Sequence, residues 1–176
     1  MTILWPLPPV HKRPLFRMGM ILAAVTLVLD QATKLWVLHL LELPGRIGGK
    51  VELSPIFDLT YVENRGISFG LLAGGMASRV FLSLVSIVVS VFIVRWLAKT
   101  ERRFSAIAAG LILGGAVGNL IDRVFYGYVV DFLDFSGIGF GYVFNVADAA
   151  INIGVAFLLY DWLVVERRER AGSSSG

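Results

Sequence analysis

Apolar positions fall into four long runs, and the polar residues between them are unevenly spread. The first run extends from about Met18 to Leu41 and carries Asp30 and Lys34 inside it. The second covers Val80 to Leu97, with Leu71 to Ser78 as an apolar lead-in. The third, Phe104 to Ile121, holds no charged residue, and the fourth runs from about Ala149 to Val165, interrupted late by Asp161. Each is near the ~20 residues a helix needs to cross the hydrocarbon of a bilayer. Where the second and fourth runs are short or charged at an end, Arg79, Arg95 and Asp161 are expected to snorkel to the interface. The first run is too long for the apolar region of a cleavable signal peptide, and no small-residue cleavage site follows it. The pattern predicts a membrane protein, mainly α, with four transmembrane helices spanning about 18–41, 71–97, 104–121 and 149–165.

Between these runs the period changes. "KVELSPIFDLTYVENRG" (Lys50 to Gly66) alternates apolar and polar residues, is rich in Val, Ile, Thr and Tyr, and is bounded by Gly and Pro. That is the signature of short strands, so a small β-structured cap is expected over about 42–70. "LLAGGM" (Leu71 to Met76) reads as a flexible or interfacial entry into the second span. The ending "AGSSSG" is low-complexity, and residues 167–176 are expected to be a disordered tail to a single domain over 1–166.

Composition agrees with the pattern: 56% of the residues are hydrophobic and only 16% charged, where a soluble domain carries about 25%. With no cysteine, thiol catalysis and thiolate metal sites are excluded, and His11 and His39 are too few for a multi-histidine centre. No metal, organic cofactor or nucleic-acid partner is called for; a net charge of +3 is too small to argue for one. The placement of charge is more informative. Lys12, Arg13 and Arg17 precede the first span, Arg95, Lys99, Arg102 and Arg103 bracket the short turn between the second and third, and Arg167, Arg168 and Arg170 follow the fourth. The positive-inside rule then places both termini in the cytoplasm. The loops Glu42 to Gly70 and Asp122 to Ala147 fall on the outer side, and the cap with them.

The isolated polar residues converge on that outer side. Asp30 and Lys34 share a helix face. Asn119, Asp122 and Arg123 sit at i, i+3 and i+4 at the end of the third span, Asp131 lies in the outer loop, and Asp148 lies where the fourth span begins. Ionisable groups within a membrane protein mark function by default. Each also has a plainer reading. Asp148 is placed as the N3 acid of a helix capped by Asn145; Asp131 as a solvated loop acid; Asp30 with Lys34 as a structural ion pair; Asp122 with Arg123 as a loop brace or lipid-headgroup contact; Asn64 as a turn residue before Gly66. Asp134 is expected on the same face of the extended segment as Asp131, so position barely separates the two. Gly110, Gly114 and Gly118 form a small-residue ridge suited to close helix contact.

Two aspartates held together share one proton, and the ionised member can activate water while the protonated one polarises a carbonyl. An aspartyl hydrolase is therefore the leading reading of the residues. A proton-coupled transporter is the alternative, and Ser68 with Lys34 is a less constrained Ser–Lys pair.

Taken in order, "DQATK" (Asp30 to Lys34), "ENRGISFG" (Glu63 to Gly70), "GGAVGNLIDRVFYGYVVDFLDF" (Gly114 to Phe135) and "FNVADAAINIG" (Phe144 to Gly154) resemble the bacterial lipoprotein signal peptidases, the type II signal peptidases. The resemblance implies an integral-membrane aspartic peptidase of the bacterial inner membrane with a periplasmic cap. Such an enzyme removes the signal peptide from diacylglyceryl-modified prolipoproteins, cutting before the lipidated cysteine. It implies Asp131 and Asp148 as the catalytic pair, choosing Asp131 over Asp134 as the acid after Val-Val. Asn64, Gly66, Asn119, Asp122, Arg123 and Asn145 match positions around the substrate cleft, and Asp30 with Lys34 a supporting pair. Membrane lipid and globomycin-type inhibitors are implied as partners. Ser68 stands where the family often has Ala.

Overall fold

The computed structural model describes residues 13–66 and 75–165. Four helices, α1 (Arg13–Leu35), α2 (Met76–Leu97), α3 (Arg103–Phe125) and α4 (Val146–Tyr160), are each long and apolar enough, with their extensions, to cross a membrane. α1 continues through a π-helical turn at Trp36–Leu40, and α4 continues through another at Asp161–Val165. Ser68, the "LLAG" of the entry to α2, and the tail 167–176 lie outside the described residues.

Helix α3 is the spine of the bundle. Of its most apolar window 67% is buried, against 11% for α2. α1, α2 and α4 all pack on α3, while α1 and α2 scarcely meet each other. Small residues make this possible, because without a side chain two helix backbones can approach closely. A Cβ placed on Gly110 would stand 2.6 Å from the Gly19 carbonyl oxygen, and one on Gly114 2.6 Å from that of Ala23 and 2.7 Å from Thr26 Cβ. Gly115 meets the backbone of Ala147, and Gly154 of α4 meets Ala108 and Ile112, so the opposite side of α3 is notched for α4. The expected glycine ridge is the α1–α3 seam.

Replacing Gly114 by Val should cost about 1–3 kcal/mol, because backbone atoms rather than flexible side-chain ends block the new methyls. Thermal unfolding in detergent, with Gly45→Ala as a control in open space, should show a lowered midpoint for Gly114→Val alone. Equal midpoints would mean the seam is loose.

At one end of the bundle sits a four-stranded antiparallel sheet in the order β1-β2-β3-β4: β1 (Lys50–Glu52), β2 (Asp58–Asn64), β3 (Val129–Asp134) and β4 (Val143–Phe144). The cap expected over 42–70 thus supplies only half the sheet; the rest comes from the loop between α3 and α4. β3 is buried along nearly its whole length, sandwiched in a small core of Val37, Leu43, Leu59, Val130 and Phe132 that binds the cap to the end of α1.

Three expectations are corrected. The third span runs on through Asp122 and Arg123 to Phe125, and the fourth begins at Val146, because buried partners hold polar residues inside the helices. Asp161 does not snorkel: it is buried, accepts a hydrogen bond from Ser105 Oγ, and lies 3.7 Å from the Arg102 guanidinium. Asp134 does not share a face with Asp131, since three residues along a strand is an odd offset and side chains alternate. Its carboxylate faces Thr60 Oγ1 at 2.6 Å and the Ser136 amide at 2.9 Å, and these hydrogen bonds hold its pKa below the usual carboxylate value.

Candidate active site

Where α3, α4, α1 and the sheet meet, the polar residues separated along the chain are brought into one hydrogen-bonded cluster. Its base is a buried ion triad. Lys34 Nζ lies 2.9 Å from Asp30 Oδ2 and 2.8 Å from Asp122 Oδ2, and it donates to Asn119 Oδ1 at 3.3 Å. An ammonium has three hydrogens to donate, and three acceptors surround this one, which is why a lysine only 2% exposed is sustainable here. The same i, i+4 spacing that put Asp30 and Lys34 on one face brings them into contact.

Both triad carboxylates also fasten backbone. Asp122 Oδ2 accepts the Val130 amide at 3.0 Å, tying β3 to α3. Asp30 Oδ1 accepts the Ala147 amide at 2.9 Å, in the first turn of α4, where amides lack partners within the helix. Asn145 caps that helix: it is extended, and its Oδ1 accepts the Asp148 amide at 2.9 Å. Gln31 was missing from the sequence reading. Its Nε2 lies within 3.0 Å of Asp122 Oδ1, 3.1 Å of Asp30 Oδ2 and 3.2 Å of the Gly118 carbonyl. Only its position inside an apolar run beside Asp30 could have flagged it.

Above the triad stand Asp131 and Asp148. Asn145 Nδ2 donates to Asp131 Oδ1 at 2.6 Å, and Asn64 Nδ2 donates to Asp131 Oδ2 at 3.0 Å, so both oxygens of this carboxylate are held. Asn64 reaches it diagonally across the β2–β3 pairing, in which Val62 is opposite Asp131 and Asn64 opposite Val129. Asn64 is itself fixed through its Oδ1, which accepts the Gly66 amide at 3.1 Å. Gly66 takes φ +121°, a conformation side-chain-bearing residues rarely adopt. Asp148 Oδ1 accepts from Asn119 Nδ2 at 2.8 Å. Asn145 thus meets the Asp131 carboxylate and the Asp148 backbone amide, Asn119 contacts the Asp148 carboxylate and Lys34, and the two asparagines meet at 3.3 Å.

The two acids differ in surroundings. Asp131 is 1% exposed, whereas Asp148 is partly open and lines a groove. Burial first, then the charge of Asp148, pushes the Asp131 carboxyl up to about 7, against the opposing pull of Asn64, Asn145 and Lys34. Arg123 does not pair with Asp122, whose cation is Lys34; its Nη1 donates to the Asn119 carbonyl at 3.2 Å. Among the described residues no group of three or more His, Cys, Asp or Glu side chains is arranged to hold a metal ion.

A multi-pass bundle with two hydrogen-bonded aspartates at one end has the layout of a membrane-embedded aspartic peptidase. Residues 22–164 match the family model for Signal peptidase (SPase) II, and the chain belongs to that family. It is 49% identical over 150 residues to the lipoprotein signal peptidase of Caulobacter vibrioides, covering 84% of this chain and 88% of the relative. With the lipoprotein signal peptidase of a Methylobacterium species the identity is 46% over 158 residues, 89% of this chain and 94% of the relative. A bacterial membrane enzyme solved at 1.9 Å superposes with a TM-score of 0.72 at 30% identity, covering 84% of this chain and 94% of that one. The transporter alternative has no support among these similarities.

Proposed function

We propose that this protein is the aspartic endopeptidase that removes signal peptides from diacylglyceryl-modified prolipoproteins, with Asp131 and Asp148 as its catalytic pair. The observation that carries the pair is Asn145, which donates to the Asp131 carboxylate while its Oδ1 accepts the Asp148 backbone amide, capping the helix that presents the second acid. The pair holds one proton, on Asp131, where burial and the neighbouring charge favour it. Asp148, open to the groove, takes a proton from water as the water oxygen attacks the scissile carbonyl. Asp131 gives its proton to the carbonyl oxygen. Collapse of the gem-diol breaks the C–N bond: Asp148 gives its proton to the departing amine of the lipidated cysteine, and Asp131 takes back a hydroxyl proton, which leaves the carboxylic acid product and restores the singly protonated pair. Asn64 and Asn119 position the two acids, with Gly66 shaping the Asn64 turn, and the Asp30–Lys34–Asp122 triad supports both elements beneath them. Arg123, beside the acids, is placed to meet the substrate or a lipid phosphate.

The charge asymmetry of the loops favours an inner-membrane enzyme with cytoplasmic termini and a periplasmic cap, in one domain over 1–166 with a short tail. Globomycin-type inhibitors would occupy the cleft between cap and bundle. Cysteine accessibility in intact cells tests the orientation: Ile47→Cys, in the cap, should react with an impermeant maleimide, and Lys99→Cys, exposed in the turn between α2 and α3, should react only after the cells are opened.

The test of function is cleavage of a diacylglyceryl-prolipoprotein by purified protein in detergent, followed against pH. The scissile bond should be the one before the modified cysteine, and kcat/KM should fall as pH rises through about 7, when the shared proton is lost. Stability carries the same sign. A carboxyl whose pKa is raised on folding binds its proton more tightly when folded, so stability falls as pH rises from the unfolded value near 3.8 towards 7. In Asp131→Asn that slope should flatten. A wild-type protein inert on a competent substrate would end the peptidase reading.

A further inference from the structure

A groove of about 480 Å³ starts at Asp148 and descends the outward face of α4. Its floor is the Asp148, Asn152 and Ile153 side of the helix, and its wall is Phe140, Tyr142 and Phe144 from the end of the sheet. The size lies within the range of small-molecule sites. The opposite face of α4, with Ala147, Ala150 and Gly154, is buried, Ala147 and Gly154 lying against α3, so the groove points away from the bundle. Its rim is open: Tyr142 is 76% and Ile153 51% exposed.

The wall is braced. Phe57, Phe135, Phe144, Phe140 and Tyr142 form a continuous chain of ring contacts, with centroids 4.8 to 6.0 Å apart, in the range of favourable aromatic pairs. Asn152 Nδ2 donates to the Asp148 carbonyl at 3.0 Å, so below the acid the floor has one oriented amide and is otherwise apolar.

We propose that this groove receives the diacylglyceryl substituent of the substrate's cysteine; the inference rests on the peptidase reading above. The substituent hangs from the residue just after the scissile bond, and the groove begins at a carboxylate of the pair. From Asp148 to Ile153 the helix rises only about 7 Å. That is far too short to seat a helix crossing ~30 Å of hydrocarbon, but it suits a glycerol ester and the first methylenes of two chains leaving sideways into lipid. The Asn152 amide lies at the depth of the ester carbonyls, and the aromatic wall contacts the methylenes.

The experiment uses the full-length protein in detergent and a dipalmitoyl prolipoprotein analogue with a diazirine early in one acyl chain. Labelling is expected on the loop bearing Tyr142 and on α4 around Ile153. Unlabelled diacylglyceryl substrate should compete it away, and an equal amount of phospholipid should not. In parallel, Ile153→Trp should raise KM for the dipalmitoyl substrate about tenfold, as when roughly two methylenes lose apolar surroundings. Its kcat should be little changed, and a short-chain diacyl substrate should be affected less. Val88→Trp, on the exposed face of α2, should behave as wild type.

Labelling spread evenly over the helices, or equal competition by phospholipid, would overturn the subsite. So would an Ile153→Trp enzyme indifferent to chain length. None of these outcomes touches the peptidase reading, which fails only if wild-type protein leaves the substrate uncut.

Discussion

Substituting asparagine for Asp131 or for Asp148 is expected to lower kcat for prolipoprotein cleavage by at least about 10³-fold, with the protein still folded. The magnitude follows from what a positioned acid or base contributes, typically 10²–10⁴-fold each, and from the proposed action of the two as a unit. Asparagine keeps the shape: at 131 its single amide oxygen can still accept from Asn64 or Asn145, though not from both, and at 148 its backbone amide still reaches the Asn145 cap. What it removes is the proton exchange. Losses in the double variant should therefore not add, because removing either member already abolishes the shared proton. Asp134→Asn is the control, since Asp134 faces Thr60 and Ser136 away from the pair; it should retain turnover within about an order of magnitude. Cleavage surviving in both single variants would remove the dyad from the mechanism.

The second large effect is expected at Lys34. Replacing it with methionine keeps the apolar stem, one atom shorter, and deletes the ammonium, leaving Asp30 and Asp122, both fully buried, without their common cation. Breaking a buried ion pair from one side costs about 3–5 kcal/mol, on the order of 10 °C in unfolding midpoint for a chain of this size. Activity should fall with it, because Asp30 and Asp122 hold the start of α4 and β3, the two elements that carry the acids. Adding Asp30→Asn and Asp122→Asn to Lys34→Met should recover part of the stability, since the uncompensated charge is then gone. Differential scanning in detergent separates the cases: a single variant that melts like wild type would show that the lysine is not the partner on which this core depends.

Much of this was legible in the chain, and the exceptions have physical causes. The four apolar runs announced the helices, and alternation in "KVELSPIFDLTYVENRG" announced β1 and β2. β3 gave no such signal, because a strand buried on both faces does not alternate, and β4 is only two residues long. The Asn145 cap with Asp148 at N3 was readable from spacing, and the structure adds that the cap also holds Asp131. Hydropathy stopped short of Asp122 and overlooked Gln31, since neither can be ranked without knowing that a lysine 88 residues upstream of the first lies beside both carboxylates of the triad. The misplacement of Asp134 was an error of strand parity. The role of Asp161 needed Ser105, 56 positions away, as a neighbour.

The buried triad also bears on how the chain enters a bilayer during synthesis. Asp30 and Lys34 sit one turn apart in the same helix, so the first span can be handed to lipid as an internally neutralised segment. Asp122 reaches the bilayer later, in the third span, and its buried counter-charge is a lysine already waiting in the first. The order in which the helices are translated is thus the order in which their charges become matched. Moving α1 behind α3 by circular permutation would leave the later helix's acid without that lysine while the chain is still being inserted.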